Sequence, residues 1–371
     1  MKVAIVHDYL NQYGGGEKVV EVLHELYPDA PIFTSIFLPE RLPSVFSTFD
    51  IRPSFMQKLP FMERHFKKYL LLYPLAIERF DLTGFDLILS SSSAFAKAAR
   101  APKGACHICY CYSPMRFAWD LESYINKEQI NFFYKLTLPS AVSLLRKWDI
   151  KTLDRVDHFI GISQHITKKI KMIYQRDADL IYPPVDFSQF FISSTQENYF
   201  LIISRLNAYK RIDIAIDAFN QLSLPLWIIG EGPHGDVLKK RANKNIRFLG
   251  EVSQEDLAHY LNRSRAFVFP GEEDFGIAPV EAMASGRPVI AYGRGGALET
   301  VLNGVTGIFF KDQTAQSLIE AVHRFMDIEF DSRKIREHVL QFDKGIFKKK
   351  VMNYVSEKFE LFKINGQRIR P

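Results

Sequence analysis

Two carboxylates in the second half of the chain are spaced so that both can reach one ligand that lies along a helix N-terminus. Glu273 and Glu281 stand eight residues apart in FPGEEDFGIAPVEAMASGRPVIA. A carboxylate accepts two hydrogen bonds and therefore suits the paired hydroxyls of a ribose or hexose. A predicted helix begins near Gly276 between them, and a helix N-terminus suits a phosphate. Acids at a helix start also complement its dipole, and this simpler interpretation stays open for the motif taken alone.

A second motif, SRLNAYKRID, supplies cations. Arg205 and Lys210 follow a predicted strand in this segment. An Arg fork and a Lys point charge can together neutralise a diphosphate, although a solvated basic loop is the simpler alternative. Both motifs follow strands of one predicted parallel sheet. Because the carboxyl ends of such strands meet at one edge, the two cations and two acids are predicted to converge on a nucleotide sugar.

The elements that position these residues repeat as strand, turn and helix. Continuous apolar strands separated by helical patterns predict parallel sheets covered on both faces. The predicted strands of the first half are 2–6, 32–37, 87–90, 106–110, 158–162 and 179–182. Those of the second half are 199–204, 226–229, 247–249, 266–269, 288–291 and 307–310. The fold class is therefore α/β, with two doubly wound, Rossmann-like domains and a linker within 183–198.

Composition fits a folded two-domain chain. The 371 residues are 47% hydrophobic and 24% charged, which excludes a disordered or collagen-like protein. A net charge of +6 is too small to predict a nucleic-acid partner on its own. The three cysteines fall on one predicted strand, so we expect a reducing compartment. The start of the chain does not read as a secretory signal, and the longest apolar run, 69–77, is too short to span a bilayer, so we expect a cytoplasmic protein.

These motifs resemble the retaining, nucleotide-sugar-dependent glycosyltransferases with the GT-B fold. The resemblance rests on SRL-x₃-K together with PGEEDFGIAPVEAMASGRPV. The segments GGGEKV, LILSSSSAFAKAA, CYSPMRFAWD and IYPPVD are similar, more narrowly, to bacterial mannosyltransferases of polysaccharide or O-antigen synthesis. The resemblance implies an N-terminal acceptor domain, 1–184, and a C-terminal donor domain, 185–346, that face a cleft. It also implies a final helix, 347–371, that packs back on the first domain.

The resemblance also implies residue roles. Arg205 and Lys210 would bind the diphosphate and support the leaving group, Glu273 would contact the donor sugar, and Glu281 would bind the ribose. Arg205, Lys210 and Glu273 form the predicted catalytic set. The predicted donor-binding residues are Gly15, Gly16, Phe275, Gly276, Ile277, Ala278 and Glu281.

One segment departs from the family pattern. Many members place a His where this chain has Tyr112, so a His-based role is in doubt here. The Tyr112 hydroxyl remains a candidate sugar contact. Arg116 follows on a helical pattern, and we predict that it contacts the acceptor or sugar, with a surface salt bridge as the alternative.

No metal and no cofactor are predicted. Asp177 and Asp179 form an Asp-x-Asp sequence, but it precedes a strand and reads as solvated surface. The run Cys106, Cys109 and Cys111 lacks a partner cysteine pair, so a zinc site is not expected. Cations and a helix N-terminus are already available for the diphosphate.

The predicted reaction is transfer of a hexose with retention, from a nucleotide sugar to a saccharide or lipid-linked saccharide. GDP-mannose is the preferred donor, and a UDP-sugar or a sugar-nucleotide epimerase of the same fold is the alternative. A dinucleotide-dependent oxidoreductase and a non-catalytic sugar binder are less favoured. Residues 52–79 interleave cations with aromatic side chains, which predicts peripheral contact with an anionic inner membrane face. An amphipathic insertion packed on its own domain is the simpler alternative.

Overall fold

The computed structural model describes residues 1–120 and 132–364. They form two compact units. The N-terminal unit comprises residues 1–184 and the segment that begins at Gly345. The C-terminal unit comprises Val185–Lys344.

The N-terminal unit is built on a parallel sheet in the order β3-β2-β1-β4-β5-β6-β7. Its strands are β1 Val3–His7, β2 Ile32–Thr34, β3 Ile51–Pro53, β4 Leu87–Ser92, β5 Cys106–Cys111, β6 His158–Gly161 and β7 Ala178–Leu180. Its helices are α1 Gly15–Leu26, α2 Met62–His65, α3 Tyr73–Glu78, α4 Arg116–Trp119, α5 Phe132–Lys151 and α6 Gln164–Tyr174. The four central strands β1, β2, β4 and β5 are buried along their whole length, as their apolar character predicts.

The start of the basic, aromatic segment differs from the prediction. Strand β3 was not predicted, because Ile51–Pro53 is short, largely exposed and contains a proline. It pairs with β2 at the sheet edge, where a residue without an N–H is tolerated. The predicted strand 32–37 was too long, since β2 ends at Thr34. After β3 the chain forms short helical turns rather than one amphipathic helix.

The C-terminal unit contains a second parallel sheet in the order β10-β9-β8-β11-β12-β13. Its strands are β8 Phe200–Ile203, β9 Leu226–Ile229, β10 Ile246–Gly250, β11 Ala266–Phe269, β12 Val289–Tyr292 and β13 Gly307–Phe310. Its helices are α7 Ile212–Leu222, α8 Gly235–Arg241, α9 Gln254–Arg263, α10 Ile277–Ala284, α11 Ala297–Thr300, α12 Ala315–Met326 and α13 Ser332–Val339. The predicted fold class, two doubly wound parallel sheets, is confirmed.

The core of the C-terminal unit fixes the strands whose carboxyl ends carry the loops. Apolar side chains of β8, β9 and β11 pack against the inner faces of α7 and α12. Phe200 lies at this junction, with its ring edge-on to Phe219 of α7 and Phe325 of α12 at 5.0 and 5.9 Å between centroids. Strands fixed in this way hold the loops at their carboxyl ends in register.

The last helix, α14 Lys344–Ile364, begins slightly before its predicted start at Phe347, and residues 365–371 of the prediction lie outside the described residues. Within the N-terminal unit, the Phe347 ring packs edge-on against Tyr110, 5.7 Å between centroids. Tyr354 donates a hydrogen bond to Asp179 at 2.8 Å. Across residues 1–120 and 132–364, no helix is both long and apolar enough to cross a bilayer.

Candidate active site

The loop after β8 carries the two predicted cations. Its buried residue Leu206 anchors the loop, because its backbone accepts from His234 N–H at 2.9 Å and donates to the Glu231 carbonyl at 2.9 Å. Arg205 is exposed on this loop, and Lys210 ends a short 3₁₀ turn just before α7. The cations are therefore held by a loop that is itself fastened to the neighbouring strand connection.

The loop after β11 carries the two predicted acids. Gly276 begins α10 with φ of 90°, a left-handed conformation that favours glycine. Phe275 is buried, with its ring edge-on to Phe342 at 5.4 Å between centroids. Glu273 lies in the loop, and Glu281 lies in the second turn of α10 with 6% of its surface exposed. Ile277 and Ala278 form the first turn of that helix.

The two loops meet through Lys210 and Glu273. The Lys210 Nζ donates a hydrogen bond to Glu273 Oε1, although the residues are 63 positions apart in the chain. Their side chains are 13% and 26% exposed, so a ligand can reach both. Gly271 allows the contact, since a Cβ there would lie 2.9 Å from the Lys210 carbonyl oxygen. The sequence prediction that these two residues converge is thus met by a direct ion pair.

A small pocket opens at this ion pair. Its lining includes Ser204, Lys210, Ile212, Pro270, Gly271 and Glu273. A ligand anion can take the place of the acid as partner of the cation, and a ligand hydroxyl can take the place of the cation as partner of the acid. The arrangement therefore suits a compound that carries phosphate beside sugar hydroxyls.

The N-terminal unit contains the remaining predicted residues. Gly15 and Gly16 start α1, and Tyr112 lies beneath them and donates to the Gly16 carbonyl at 3.0 Å. Burial raises the pKa of the Tyr112 hydroxyl well above 10, against the opposing effect of its hydrogen bond with Ser91, so the group stays neutral. Arg116 begins α4 and is exposed.

Asp8 is a site-forming residue that the sequence reasoning missed. It follows β1, is only 1% exposed, and accepts five hydrogen bonds from the turn after β4. Four come from the backbone N–H groups of residues 93–96 at 2.5 to 3.0 Å, and one from the Ser93 hydroxyl at 2.8 Å. Asp8 therefore fixes the carboxyl ends of two adjacent strands. The only sequence signal is an acid directly after a buried strand.

The metal-ligand candidates have other partners. Asp177 pairs with Lys171 at 2.6 Å, and Asp179 accepts from Tyr354. Cys106, Cys109 and Cys111 are buried thiols of β5. Within the described part of the chain, no three His, Cys, Asp or Glu side chains come together as a metal site.

Comparisons with known proteins agree with this geometry. The model of the family "Glycosyl transferases group 1" matches residues 186–341, which include both loops. The O-antigen chain mannosyltransferase RfbU of Salmonella typhimurium is 25% identical over 253 residues, 64% of this chain and 65% of RfbU. The glycogen synthase of Mycobacterium tuberculosis is 33% identical over 138 residues, 34% of this chain and 33% of that enzyme. The chain thus spans about a third of one relative and just under two thirds of the other.

Solved structures share the whole architecture. Anabaena HepE in complex with UDP superposes with a TM-score of 0.71 and 17% identity, over 96% of this chain and 100% of HepE. The chain has the GT-B fold, and its residues 186–341 match the group 1 glycosyltransferases. The apo lipopolysaccharide outer core galactosyltransferase WaaB also shares the fold, with a TM-score of 0.67 and 18% identity over 96% and 100% of the chains. Among its relatives, the chain resembles the mannosyltransferase branch.

We predict that Asp8→Asn destabilises the N-terminal unit by about 2 to 4 kcal/mol, because an amide cannot accept all five hydrogen bonds and its NH₂ would face donors. Urea unfolding followed by tryptophan fluorescence measures this loss, since Trp119 and Trp148 lie in this unit.

Asp81→Asn is the matched control. Asp81 is exposed and also caps a backbone N–H, that of Thr83 at 3.0 Å, so its loss should change stability by less than about 0.5 kcal/mol. Equal unfolding midpoints for the two variants would contradict the role given to Asp8.

Proposed function

We propose that the protein transfers mannose from GDP-mannose, with retention of anomeric configuration, to a saccharide or lipid-linked saccharide in cell-surface polysaccharide synthesis. The observation that carries the proposal is the Lys210–Glu273 ion pair at the pocket between the two loops. The mannose donor is supported by the similarity to RfbU and to the Escherichia coli O-antigen chain mannosyltransferase C, which is 28% identical over 150 residues.

The proposed roles follow from charge. Glycosyl transfer develops negative charge on the departing phosphate, and stabilising it is the main electrostatic task. Lys210 and Arg205 would neutralise this charge, and the first turn of α10 would add backbone N–H groups. Glu273, released from Lys210, would accept from the sugar hydroxyls, while Glu281 would bind the ribose.

The reaction as proposed uses no metal and no cofactor. No carboxylate of the motifs is assigned as a nucleophile, unlike the paired carboxylates of retaining glycosidases. We infer a front-face route, in which the acceptor hydroxyl attacks on the side that the phosphate leaves. The leaving phosphate oxygen takes the hydroxyl proton as the new glycosidic bond forms and the bond to phosphate breaks.

A UDP-sugar is the second candidate donor. Two Anabaena HepE structures, described as containing UDP and UDP-glucose, share the fold of this chain. At 17% identity they support the architecture alone, so the base and sugar need a direct test.

A thermal-shift screen against GDP-, UDP- and ADP-sugars tests the proposed donor. GDP-mannose should raise the unfolding temperature by several degrees, because a ligand that binds only the native state stabilises it. The preferred donor is then incubated with a saccharide acceptor, and the anomeric configuration of the product is read by NMR. A larger shift with a UDP-sugar would favour the second candidate, and isomerisation of the donor without acceptor would identify an epimerase.

Replacing Lys210 and Glu281 should have different kinetic effects. Lys210→Ala should lower turnover by about a hundredfold or more, since it removes charge stabilisation of the leaving phosphate. Glu281→Ala should mainly weaken nucleotide binding, by about tenfold or more, as a charged hydrogen bond to ribose is lost. Steady-state kinetics and calorimetry separate the two effects.

Lys240→Ala and Glu320→Ala are matched controls. Both side chains are exposed on helices of the C-terminal unit, away from the two loops. If Lys210→Ala and Glu281→Ala behaved like these controls, the assigned site would be wrong.

We further propose that residues 52–79 contact an anionic membrane surface, which would bring the protein to a lipid-linked acceptor. Part of the segment packs into the N-terminal core through Met56, Met62 and Tyr73. Phe61, Leu71 and Leu75 instead remain 74%, 50% and 42% exposed. The Tyr69 hydroxyl donates to the Pro60 carbonyl at 2.9 Å and so ties the turn carrying Phe61 to the turn carrying Leu71.

Charge supports this surface. Lys58, Arg64 and Lys68 are exposed in the same segment. Exposed apolar side chains among cations are typical of proteins that bind anionic lipid, where the apolar groups enter the interface and the cations meet headgroups. The surface thereby fits a peripheral position at the inner face of the plasma membrane.

Vesicle sedimentation tests the membrane contact. The protein should bind phosphatidylcholine vesicles containing phosphatidylglycerol more tightly than phosphatidylcholine alone, and salt should weaken binding. Phe61→Ala should reduce affinity by about tenfold, because an apolar side chain no longer enters the interface. Phe191→Ala is the control, since Phe191 is 61% exposed in the C-terminal unit. Equal effects of the two substitutions would refute the proposed surface.

A further inference from the structure

The glycine turn before α1 lacks side chains that could fix its own shape. Gly14 is the N-cap of α1, and Gly15 and Gly16 are its first residues. The turn is instead held by groups from outside it. The Gly14 N–H donates to Glu17 Oε2 at 2.9 Å, and Glu17 is itself buried.

Tyr112 holds the other end of the turn. Its hydroxyl donates to the Gly16 carbonyl at 3.0 Å and lies 2.6 Å from the Ser91 hydroxyl. Its ring also packs beneath the turn, since a Cβ on Gly16 would lie 3.6 Å from two ring carbons. The turn therefore rests on the phenol both by a hydrogen bond and by van der Waals contact.

The support continues to β1. His7 Nδ1 lies 3.0 Å from both the carbonyl and the hydroxyl oxygen of Ser91. A carbonyl only accepts, so Nδ1 carries the proton. The hydrogen bonds then run in one direction, from His7 to Ser91, from the Ser91 hydroxyl to Tyr112, and from Tyr112 to Gly16. His7 Nε2 lies 3.8 Å from Glu17 Oε1, so His7 also contacts the acid that accepts from the Gly14 N–H.

We propose that Tyr112 is a positioning residue, which holds the Gly14–Gly16 turn in the shape that receives the donor phosphates. The proposal rests on the proposed function for the identity of the ligand. It replaces the sequence-based expectation that the Tyr112 hydroxyl contacts the sugar. That hydroxyl uses its one proton on Gly16 and accepts from Ser91, so both of its main hydrogen-bonding capacities serve the protein.

Tyr112→Phe tests the proposal, with Tyr110→Phe as matched control. Tyr110 lies on β5 two residues before Tyr112, is buried, and donates its hydroxyl proton to the Ile181 carbonyl at 2.9 Å, away from the turn. Each substitution removes one buried hydroxyl that bonds a backbone carbonyl. We therefore expect similar falls in unfolding temperature for the two variants.

Hydrogen exchange separates the variants without any substrate. Backbone amides of residues 14–18 should exchange about tenfold faster in Tyr112→Phe than in the wild type, because the turn opens more readily. Tyr110→Phe should leave their exchange unchanged. Ser91→Ala, which removes the hydroxyl between His7 and Tyr112, should speed exchange in the same direction.

Kinetics supply the second measurement. Tyr112→Phe should raise the donor KM about tenfold with kcat within about twofold, since a looser turn binds the donor less well. Identical behaviour of the Tyr112 and Tyr110 variants would overturn the proposal. So would a large loss of kcat with unchanged exchange, which would mean that the hydroxyl acts on the substrate directly. An inactive wild type would refute the proposed function, whereas the exchange measurement would still decide the role of Tyr112.

Discussion

The contact between Lys210 and Glu273 is the constraint on which the candidate active site depends. Each charge lies partly buried at the end of a different strand, and each neutralises the other. An isolated charge in such a place would be costly, because burial removes much of its hydration. A ligand that carries both an anion and hydroxyl groups can separate Lys210 from Glu273, because its anion then pairs with the lysine and its hydroxyl groups with the glutamate. In the free protein the ion pair therefore already places a cation and an acid where a nucleotide sugar would meet them.

The parallel sheet makes this contact possible over a long chain separation. Strands β8 and β11 are neighbours, so the loops at their carboxyl ends share one edge. Backbone contacts with the connection after β12 also hold the loop after β11. The Gly296 N–H donates to the Glu273 carbonyl at 2.7 Å, and a Cβ on Gly296 would lie 2.3 Å from the Phe275 Cα. The acid is therefore positioned by the connection after β12 as well as by its own strand.

The sequence predicts best what is local and apolar. Strands 226–229, 266–269 and 307–310 were placed at the bounds that the structure gives them, because a buried parallel strand is a continuous apolar run. Strand β3 has no such run and forms only through pairing with β2. Asp8 was missed for a related reason. Its partners lie 85 to 88 residues away, and no local pattern announces a hydrogen bond over that distance.

The candidate site shows the same limit in its chemistry. Lys210 and Glu273 were predicted to converge because both follow strands of one parallel sheet, whose carboxyl ends meet at one edge. The residue type alone did not predict the partner of Tyr112, because a phenol can donate a hydrogen bond to a sugar or to a backbone carbonyl equally well. The structure shows that the Tyr112 hydroxyl donates to the Gly16 carbonyl, a contact that no sequence pattern predicted.

The two units therefore use polar side chains differently. In the C-terminal unit charged groups stand partly exposed at a pocket, where a ligand can exchange with them. In the N-terminal unit Asp8 and Tyr112 bond to the backbone of neighbouring loops, and the Ser91 hydroxyl bonds to Tyr112. A loop of glycines can approach a phosphate closely only because it lacks side chains, and the same lack leaves it without means to hold its own shape. The polar groups of Glu17 and Tyr112 supply the hydrogen bonds that hold this turn.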